Sequence, residues 1–381
     1  MATVVFWAAA VLLAQTYFLY PLWLLLLARV RPGGRGLRPR APEAWPSVSL
    51  VVAAHDEAGC IGEKLENSLS LDYPPDRLEV LIGSDGSSDG TDALVRAHPD
   101  PRVRLSAAPR AGKTSVLNRC IPAAGGEVVV LSDANTWIEA GALKALVRHF
   151  ADPEVGAVCG RLQLYNPTRA EYEESAYWKY ESWLKALEGT QGAVVGANGG
   201  LYAIRRGLFT ALPPSTIVDD FVIALRLLDQ GYQVRYEPMA LALEETTEDY
   251  GREFGRRARI AAGNFQSLGL VPGLLSPTRG FPAFAFWSHK VLRWFAPALM
   301  VLALAANAAL LDVPFYRVTM AVQVAFYCLA ALGSVAVGPS LVRRISGIAY
   351  YFVTMNLAIA VGFWRFLRNS QAAAWERTAR A

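Results

Sequence analysis

The sequence predicts an α/β domain with a mostly parallel sheet, flanked on both sides by apolar helices long enough to cross a membrane. Apolar runs of strand length alternate with helical patterns between residues 48 and 132, an order typical of parallel strands covered by helices on both faces. By contrast, residues 1–28 contain no charged residue, and residues 291–366 contain one acid and five arginines. The chain therefore combines a domain of soluble composition with membrane segments.

Overall composition agrees with partial membrane embedding. Hydrophobic residues make up 53% of the 381 residues, too many for a wholly soluble protein and too few for a pure membrane bundle. The net charge of +4 is mild, and arginines concentrate near the apolar segments and at 252–259. This distribution favours lipid headgroups or a phosphorylated substrate over nucleic acid. The four cysteines lack CxxC spacing, which argues against a zinc site or disulfide framework and fits a reducing compartment.

The N-terminal segment is predicted to be a membrane anchor over residues 1–30. Residues 4–28 exceed the roughly 20 apolar residues that a spanning helix needs. A cleaved signal peptide is less consistent with the sequence, because the segment lacks a basic start and is followed by Arg29 and Arg31. Residues 31–47, rich in Pro, Gly and Arg, are predicted to form a linker.

The α/β domain is predicted over residues 48–248. A further helix is predicted at 218–231, because acids at its start complement the helix dipole and Gly231 provides a stop signal. The strands are predicted at 48–54, 79–84, 103–107 and 127–132, and the helices between them at 57–71, 89–97 and 114–123.

Polar residues follow three of these strands. Asp56 and Glu57 follow the first strand, Asp85 the second, and Asp133 and Asn135 the fourth. In open parallel sheets ligands bind outside the carboxyl ends of the strands. A single acid such as Asp85 could be a turn former in a Gly/Ser-rich loop, but three acidic strand ends at one edge predict a shared site.

Two nucleotide-binding motifs are excluded. Gly112-Lys113-Thr114 resembles the end of a P-loop, but that motif needs a glycine five residues before Gly112, where Ala107 stands. The sequence also lacks a GxGxxG fingerprint. What remains is a nucleotide site built from carboxylates and a lysine.

Seven stretches carry a family resemblance, in the order "VSLVVAAHDEAGCI", "VLIGSDGSSDGT", "GKTSVLN", "LSDANT", "GANGGLYAIRR", "IVDDFVIALRLLDQGYQVRYEP" and "RRARIAAGN". They resemble the opening strand with its N/D-E loop, the DDGSxDxT element, GKxxALN, DxD, the glycine-rich acceptor loop, TEDxxLxxRLxxxGY and QxxRW of family-two glycosyltransferases. The resemblance covers roughly 45–270 and is closest to the membrane-embedded synthases of cellulose, chitin and hyaluronan. It implies a GT-A fold, which is Rossmann-like with a mostly parallel sheet.

The resemblance implies roles for individual residues in donor and acceptor binding. Asp56 and Glu57 would border the base and ribose pocket, and Asp85 would accept a hydrogen bond from the uracil or its equivalent. The remaining positions are Lys113 and Asn118, which would contact the base or phosphates, and Asn198, Gly199 and Gly200, which would form the acceptor loop. For Lys113 the alternative is a solvated surface lysine.

Asp133 would meet a divalent cation. Hard oxygen ligands suit Mg²⁺ or Mn²⁺ bridging a diphosphate, with one or two carboxylates and water completing the shell. The sequence departs from DxD because Asn135 replaces the second acid. An amide oxygen can ligate without contributing charge, so either the metal affinity is lower or Asp133 and the phosphates hold the ion.

Asp220 would be the catalytic base, since it matches the acid of TED. An acceptor hydroxyl must lose its proton as it attacks C1 of the sugar. The helix dipole would stabilise ionised Asp220, whereas neighbouring Asp219 would raise its basicity. In one alternative, both aspartates only cap the N-terminus of the helix. In the other, Asp219 caps the helix and Asp220 is the base. Arg256 and Arg259 would neutralise the departing diphosphate, unless 252–259 is only a membrane-flanking patch.

Ile260 stands where QxxRW has its tryptophan, which puts chain elongation in doubt. In processive synthases that ring is implied to line the acceptor entrance. Trp178, Trp183 or Tyr202 could supply a stacking platform instead.

The C-terminal half is predicted to return to the membrane. Residues 249–280 carry apolar and basic residues suited to an interfacial helix, and 281–370 contain three candidate spans before a tail at 371–381. The positive-inside rule places the central domain in the cytoplasm. The tail arginines disagree, so either the tail is an exception or one segment is re-entrant. The spans are predicted at 294–311, 315–337 and 345–366.

The expected function is an inverting glycosyltransferase of the cell membrane, multi-pass and with its catalytic domain in the cytoplasm. It would transfer a hexose, from a UDP-sugar by preference, in β-linkage to a growing polysaccharide or oligosaccharide. Expected partners are membrane lipids and a glycan or lipid acceptor, with a homo-oligomer possible because three C-terminal spans are few for a monomeric pore. The alternatives are transfer of one sugar to a lipid, or a non-catalytic scaffold in which Asn135 marks a lost site.

Overall fold

The computed structural model describes residues 1–30, 42–165, 176–245, 250–335 and 340–371. Most of the predicted linker (31–41 of 31–47) and all but the first residue of the predicted tail (372–381) lie outside these described residues. The chain divides into two compact units. Of the described residues, the helical unit comprises those within Met1–Trp23, Glu248–Leu268 and Phe286–Gln371, and the sheet unit comprises those within Leu24–Thr247 and Gly269–Ala285.

The sheet unit is built on one eight-stranded sheet in the order β3-β2-β1-β4-β7-β6-β8-β5. Strands β3, β2, β1 and β4 are parallel, β7 is antiparallel to both of its neighbours, and β6 and β8 are parallel to each other. The strands are β1 (Val48–Ala54), β2 (Leu78–Asp85), β3 (Val103–Ala108), β4 (Val128–Asp133), β5 (Thr136–Ile138), β6 (Val155–Tyr165), β7 (Tyr202–Arg205) and β8 (Gln233–Glu245).

Helices cover this sheet, as the strand–helix alternation predicts. They are α2 (Ile61–Leu69), α3 (Thr91–Arg96), α4 (Lys113–Ala123), α5 (Ala142–Val147), α6 (Ala176–Thr190) and α7 (Asp219–Asp229). All seven residues of β1 are buried, and so are the first five of β4, because a strand covered on both faces cannot alternate with polar residues. The mixed α/β architecture and the four predicted strands are confirmed.

Helix α4 packs closely on β2 because β2 carries a glycine at the contact. A Cβ built on Gly83 would lie 2.3 Å from Val116 Cγ1 and 2.7 Å from Cys120 Sγ. The absent side chain therefore lets the start of α4, with Lys113, approach the end of the sheet. This contact places Lys113 in the site described below.

The helical unit contains the remaining helices. These are α1 (Ala2–Val30), α8 (Tyr250–Ser267), α9 (Phe281–Trp294), α10 (Ala296–Ala308), α11 (Pro314–Gly333) and α12 (Ser340–Leu367), of which α1 and α9 also extend into the sheet unit. Among the described residues, α1, α11 and α12 are long and apolar enough to cross a membrane. Helices α9 and α10 meet at a bend of 65° and would add a fourth span if they are one broken span.

The predicted span at 294–311 lies mainly over α10 and begins at a bend. Helix α10 has only 13 residues, and the chain bends at Phe295 rather than continuing through it. Pro297 lies in the first turn of α10. Proline has no amide proton and its ring clashes with the carbonyl four residues earlier, so a continuous helix through this point is unfavourable.

Helices α8 and α12 approach each other through small residues. A Cβ on Gly362 would lie 2.5 Å from the Cβ of Ala261, and Ala258 is fully buried. Small residues at helix contacts are typical of membrane bundles, where close backbone approach replaces the hydrophobic driving force. The predicted interfacial segment is therefore helical over Tyr250–Ser267 and packs within the helical unit.

Candidate active site

Three strand ends bring polar residues to one edge of the sheet. In the parallel register Ala53 pairs with Asp133, and Ala54 pairs with Ser84, the residue before Asp85. Strands β1, β2 and β4 therefore end side by side. This juxtaposition is the one that the acidic strand ends predict.

The loop after β1 is locked to the loop after β2. Asp56 has a positive φ of 53°, and one of its carboxylate oxygens accepts a hydrogen bond of 2.7 Å from the Ser88 amide. That backbone bond lowers the pKa of the Asp56 carboxyl. The Glu57 amide donates to Thr91 Oγ1 at 2.9 Å. The two residues predicted to border the base thus lie in a loop fixed by its neighbour.

Asp85 ends β2 at the predicted edge of the sheet, where backbone amides bind its carboxylate. Its side chain is 1% exposed, and its carboxylate accepts hydrogen bonds from the amides of Ala111 (2.6 Å) and Gly112 (3.0 and 3.1 Å). These bonds fix the loop that leads into Lys113. The predicted contact between Asp85 and a base would require them to open, because the carboxylate has no solvent-facing oxygen to offer.

Lys113 lies between carboxylates of β4 and α7. Its Nζ is 2.6 Å from Asp133 Oδ1 and 3.9 Å from Asp219 Oδ2. Burial alone would lower the pKa of the Lys113 ammonium, but the carboxylates of Asp133, Asp219 and Asp220 raise it well above its usual value. Lys113 is therefore a permanently charged group inside an acidic cluster. Lys113 is therefore not the solvated surface lysine of the alternative interpretation.

Asp220 is partly buried beside this cluster. Burial and the adjacent Asp219 carboxylate raise the pKa of Asp220 to about 6, although Lys113 acts in the opposite direction. Helix α7 begins at Asp219, so Val218 holds the N-cap position and the predicted capping role of Asp219 is wrong. Asp219 instead points toward Lys113, and Asp220 Oδ1 accepts a bond of 2.8 Å from the Phe221 amide.

The glycine loop passes between the two carboxylates. A Cβ on Gly199 would lie 3.2 Å from Asp220 Oδ2 and 3.4 Å from Asp133 Oδ2. These two oxygens therefore face the same small space, which only a residue without a side chain leaves open. The loop is held from both sides, because Lys185 Nζ donates to Asn198 Oδ1 and Ser132 Oγ donates to the Gly200 carbonyl at 2.8 Å.

The donor set fits a divalent cation only if the substrate contributes ligands. Within the described residues, no group of three or more Asp, Glu, His or Cys side chains converges to hold a metal. The space at Gly199 nevertheless presents carboxylate oxygens of Asp133 and Asp220, the hard ligands that Mg²⁺ and Mn²⁺ prefer. Phosphate and water oxygens would complete the shell. The arrangement fits a metal held jointly by protein and diphosphate.

Two predicted amide ligands have protein partners. Asn118 Nδ2 donates to the Leu212 carbonyl at 2.7 Å, and Asn118 Oδ1 accepts from the Leu212 amide at 2.9 Å. Its side-chain amide therefore holds the segment before α7 in place. Asn135 Nδ2 lies 3.5 Å from Glu244 Oε1 on β8, which leaves its oxygen as the only atom suited to a cation. The role of Asn135 as a ligand stays a prediction.

The remaining predicted residues are in the helical unit or outside the acidic cluster. Arg256 and Arg259 lie on α8 with Ile260, and Arg256 is exposed and 3.8 Å from Glu253. Their contact with a diphosphate stays a prediction.

Of the three proposed aromatic platforms, Tyr202 is excluded by its 1% exposure. Trp178 donates its indole N–H to the Leu162 carbonyl at 2.9 Å, whereas Trp183 is 39% exposed. Trp183 is therefore the aromatic side chain of the three with a surface available for stacking.

Two buried groups near the cluster differ from what the sequence predicts. The Tyr202 hydroxyl lines a small cavity with Lys113 and Asp133, and it has no hydrogen-bond partner within the part of the chain that the structure describes. Burial raises the pKa of the Tyr202 phenol well above its usual value, and the three aspartates add to the effect. Lys64 lies buried beneath β4, where burial lowers its pKa to about 7. The sequence predicts Tyr202 as a stacking platform, and it gives no role to Lys64, which lies in a stretch with a helical pattern.

Comparison with known proteins agrees with this geometry. The model of glycosyl transferase family 2 matches residues 49–210. The chain is 28% identical over 243 residues to a probable glycosyltransferase of Bacillus subtilis, covering 58% of this chain and 55% of the relative. It is 32% identical over 234 residues to a beta-monoglucosyldiacylglycerol synthase of Synechocystis sp., covering 58% of this chain and 48% of the relative. It is 25% identical over 261 residues to a poly-beta-1,6-N-acetyl-D-glucosamine synthase of Staphylococcus aureus, covering 64% of this chain and 61% of the relative.

A solved structure shows the same fold over almost the whole chain. It is a mannosyltransferase from Pyrobaculum calidifontis in complex with GDP-Man and Mn²⁺, with a TM-score of 0.68, 24% identity and coverage of 97% of this chain and 99% of that one. At this identity the likeness shows the fold alone, and it confirms the GT-A prediction. The chain spans between 48% and 61% of the length of the curated relatives described above.

Proposed function

We propose that this chain transfers a hexose from a nucleotide sugar to a hydroxyl group of a glycan or lipid. The proposal starts from the match of the chain to glycosyl transferase family 2. One observation carries the proposal. Lys113, Asp133, Asp219 and Asp220 come from three separate elements and meet at the carboxyl edge of the sheet. A partly buried acid with a raised pKa beside a cation and a second carboxylate is the arrangement that a general base and a phosphate site require.

The donor proposal is a nucleoside diphosphate sugar, with UDP preferred. The interlocked loops that carry Asp56 and Glu57 would border the base, and Lys113 would face the phosphates. A divalent cation, when bound, would neutralise charge on the diphosphate. Asp133 would hold it, with the side-chain oxygen of Asn135 as a further ligand.

The reaction would be a single displacement. Asp220 takes the proton of the acceptor hydroxyl as that oxygen attacks C1 of the sugar opposite the diphosphate. The new bond joins the acceptor oxygen to C1, the bond from C1 to the phosphate oxygen breaks, and the diphosphate leaves. An α-linked donor then gives a β-linked product. A base with a pKa near 6 is ionised at neutral pH and still accepts a proton readily.

The acceptor is proposed to be a growing polysaccharide or oligosaccharide. Trp183 offers an exposed ring for stacking on a sugar, which supports this choice. Transfer of one sugar to a lipid is the second candidate, supported by Ile260 in place of the QxxRW tryptophan. The relatives include both a polysaccharide synthase and a glycolipid synthase. We propose that the protein lies in the cell membrane with the sheet unit in the cytoplasm.

The experiment incubates the purified full chain with labelled UDP- and GDP-sugars, Mn²⁺ and membrane lipids, and sizes the products. Label transfer from at least one donor is expected in wild type, with a loss of at least about a thousandfold in Asp220→Asn, as expected for a lost general base. Asp76→Asn, with a side chain that is 78% exposed, is the matched control. Equal rates in wild type and Asp220→Asn would contradict the base assignment, and failure of every donor would support the scaffold alternative.

A further inference from the structure

We propose that Lys64 is a positioning residue that clamps the segment carrying Asp133 and Asn135 and, through Ser132, the glycine loop beside Asp220. This inference rests on the proposed function, because the clamped groups are those assigned to the donor and the base. Lys64 is on α2 and lies outside all seven motif stretches that predict the site. The nearest of them in the chain is the first, which ends at Ile61.

The hydrogen bonds of Lys64 bracket the Asp133–Asn135 segment. Its Nζ donates to Ser132 Oγ at 2.9 Å, immediately before Asp133, and to the Thr136 carbonyl at 2.6 Å, immediately after Asn135. Both ends of the three-residue segment are therefore tied to one nitrogen. Because an amine can donate two hydrogen bonds in either protonation state, the clamp does not depend on the charge of Lys64.

Ser132 extends the clamp to the glycine loop. While its oxygen accepts from Lys64, its hydroxyl donates to the Gly200 carbonyl at 2.8 Å. Gly199, the residue before Gly200 in that loop, lies between the Asp133 and Asp220 carboxylates. One buried side chain thus fixes both walls of the space in which the diphosphate and the attacking hydroxyl would meet.

Helix α2 is itself anchored to the same region. Asn67, one turn after Lys64, donates to the Ile138 carbonyl at 2.8 Å and accepts from the Ile138 amide at 2.9 Å. The helix therefore holds the chain from Ser132 to Ile138 at three points. A shift of α2 relative to β4 is opposed by these bonds, so Lys64 has a rigid base from which to act.

Stability alone does not require a lysine at this position. Its side chain is 3% exposed, and burying an amine is costly unless every donor is satisfied. Replacing the lysine by an apolar residue of similar size removes that cost but leaves the Ser132 hydroxyl and the Thr136 carbonyl without this donor. A methionine would fill similar space without the two hydrogen bonds. The Lys64→Met variant therefore separates packing from positioning.

The test compares wild type and Lys64→Met in the full-length protein, with two readouts that need no turnover. Mn²⁺ binding is followed by the electron paramagnetic resonance of the free ion, and Mn²⁺–UDP and Mn²⁺–GDP binding by calorimetry. We expect Kd for the bound nucleotide, and KM for its sugar donor, to rise about tenfold, because the variant removes both hydrogen bonds that hold the Asp133–Asn135 segment. The melting temperature should stay within a few degrees of the wild-type value, because the avoided cost of burying an amine offsets the two lost hydrogen bonds.

Ser132→Ala provides a second variant, which removes one acceptor of Lys64 and the bond to Gly200. A rise of about threefold in Kd is expected. If Lys64→Met does not fold, the Kd of Ser132→Ala alone tests whether these hydrogen bonds affect nucleotide binding. Lys144→Met is the control, because Lys144 pairs with exposed Asp72 at 2.5 Å and is expected to bind as wild type.

Two results overturn the clamp. If Lys64→Met and Ser132→Ala both bind nucleotide within a factor of two of wild type, Lys64 has a packing role only. A lower melting temperature with unchanged Kd and KM has the same meaning. If wild type binds neither Mn²⁺–UDP nor Mn²⁺–GDP, the proposed function fails first and the clamp fails with it, which distinguishes the two failures.

Discussion

Asp220 shows how the environment of one residue decides its chemistry. An exposed aspartate has a pKa near 3.9 and is a poor base at neutral pH. Partial burial and the neighbouring Asp219 raise the pKa of Asp220 to about 6, while Lys113 limits the increase. The same chemical group thereby becomes a stronger base, because its ionised form is less stable than in water.

The activity should depend on pH through this residue. Because the base must be ionised, kcat/KM should fall about tenfold per pH unit below about 6. Asp219→Asn removes a negative neighbour, so the acidic limb of the profile should move to lower pH. The rate–pH profiles of the two proteins measure this. A limb that stays in place or moves upward would contradict the coupling between the two aspartates.

Gly199 gives a second prediction at the scale of one residue. Gly199→Ala places a methyl group 3.2 Å from Asp220 Oδ2 and 3.4 Å from Asp133 Oδ2. The methyl group occupies the space between the two carboxylates, so kcat/KM should fall at least about tenfold. Steady-state kinetics and the melting temperature check this.

Gly59→Ala is the matched control for Gly199, because among the described residues no atom lies within 4 Å of a Cβ there. It should keep wild-type kinetics. A Gly199→Ala variant that is as active as this control would show that the space is not used in the reaction.

At the scale of elements, the site depends on how closely α4 and α7 approach the sheet. Helix α4 carries Lys113 at its first residue, and α7 carries Asp219 and Asp220 at its start. Both helix starts lie at the carboxyl edge of the sheet, so three side chains from separate elements converge. The glycine at position 83 permits the contact of α4 with β2.

Gly83→Ala should therefore destabilise the sheet unit. The added methyl group would lie 2.3 Å from Val116 Cγ1, and overpacking of this kind costs about 1–3 kcal/mol. Thermal unfolding measures the loss as a lower melting temperature. Gly62→Ala is the control, since it lies inside α2 with no described atom within 4 Å and should be neutral or stabilising by up to about 1 kcal/mol. An equal melting temperature in both variants would disprove close packing at Gly83.

At the scale of the whole molecule, the chain combines a soluble sheet unit with helices that can cross a membrane. Three described helices qualify by length and composition, and the bent pair α9–α10 would add one span. Arg29 follows the apolar part of α1, and Lys290 and Arg293 precede α10. These flanking charges are the basis for proposing a cytoplasmic sheet unit.

This orientation can be tested by proteolysis of membrane vesicles. The sheet unit should be cleaved in inverted vesicles, in which the cytoplasmic face is outside, and protected in right-side-out vesicles. Immunodetection of an epitope within residues 48–245 measures both. Cleavage in right-side-out vesicles with intact membranes would reverse the proposed topology.

The sequence by itself determined the order of β1 to β4, the helices between them and the edge at which Asp133 would lie. These properties follow from local periodicity, because burial on both faces requires continuous apolar runs and polar residues then collect at strand ends. The strands β6, β7 and β8 were not predicted, since their pairing joins segments far apart in the chain and one of them is only four residues long.

Only the tertiary structure decided which polar groups meet and which are buried. Asp85 is satisfied by backbone amides, Tyr202 is sealed inside, and Lys64 lies beneath the Asp133 segment. A side chain's depth and partners depend on how distant elements pack, and local residue patterns carry no record of that. The convergence of Lys113 with Asp219, more than one hundred residues later, is decided in the same way.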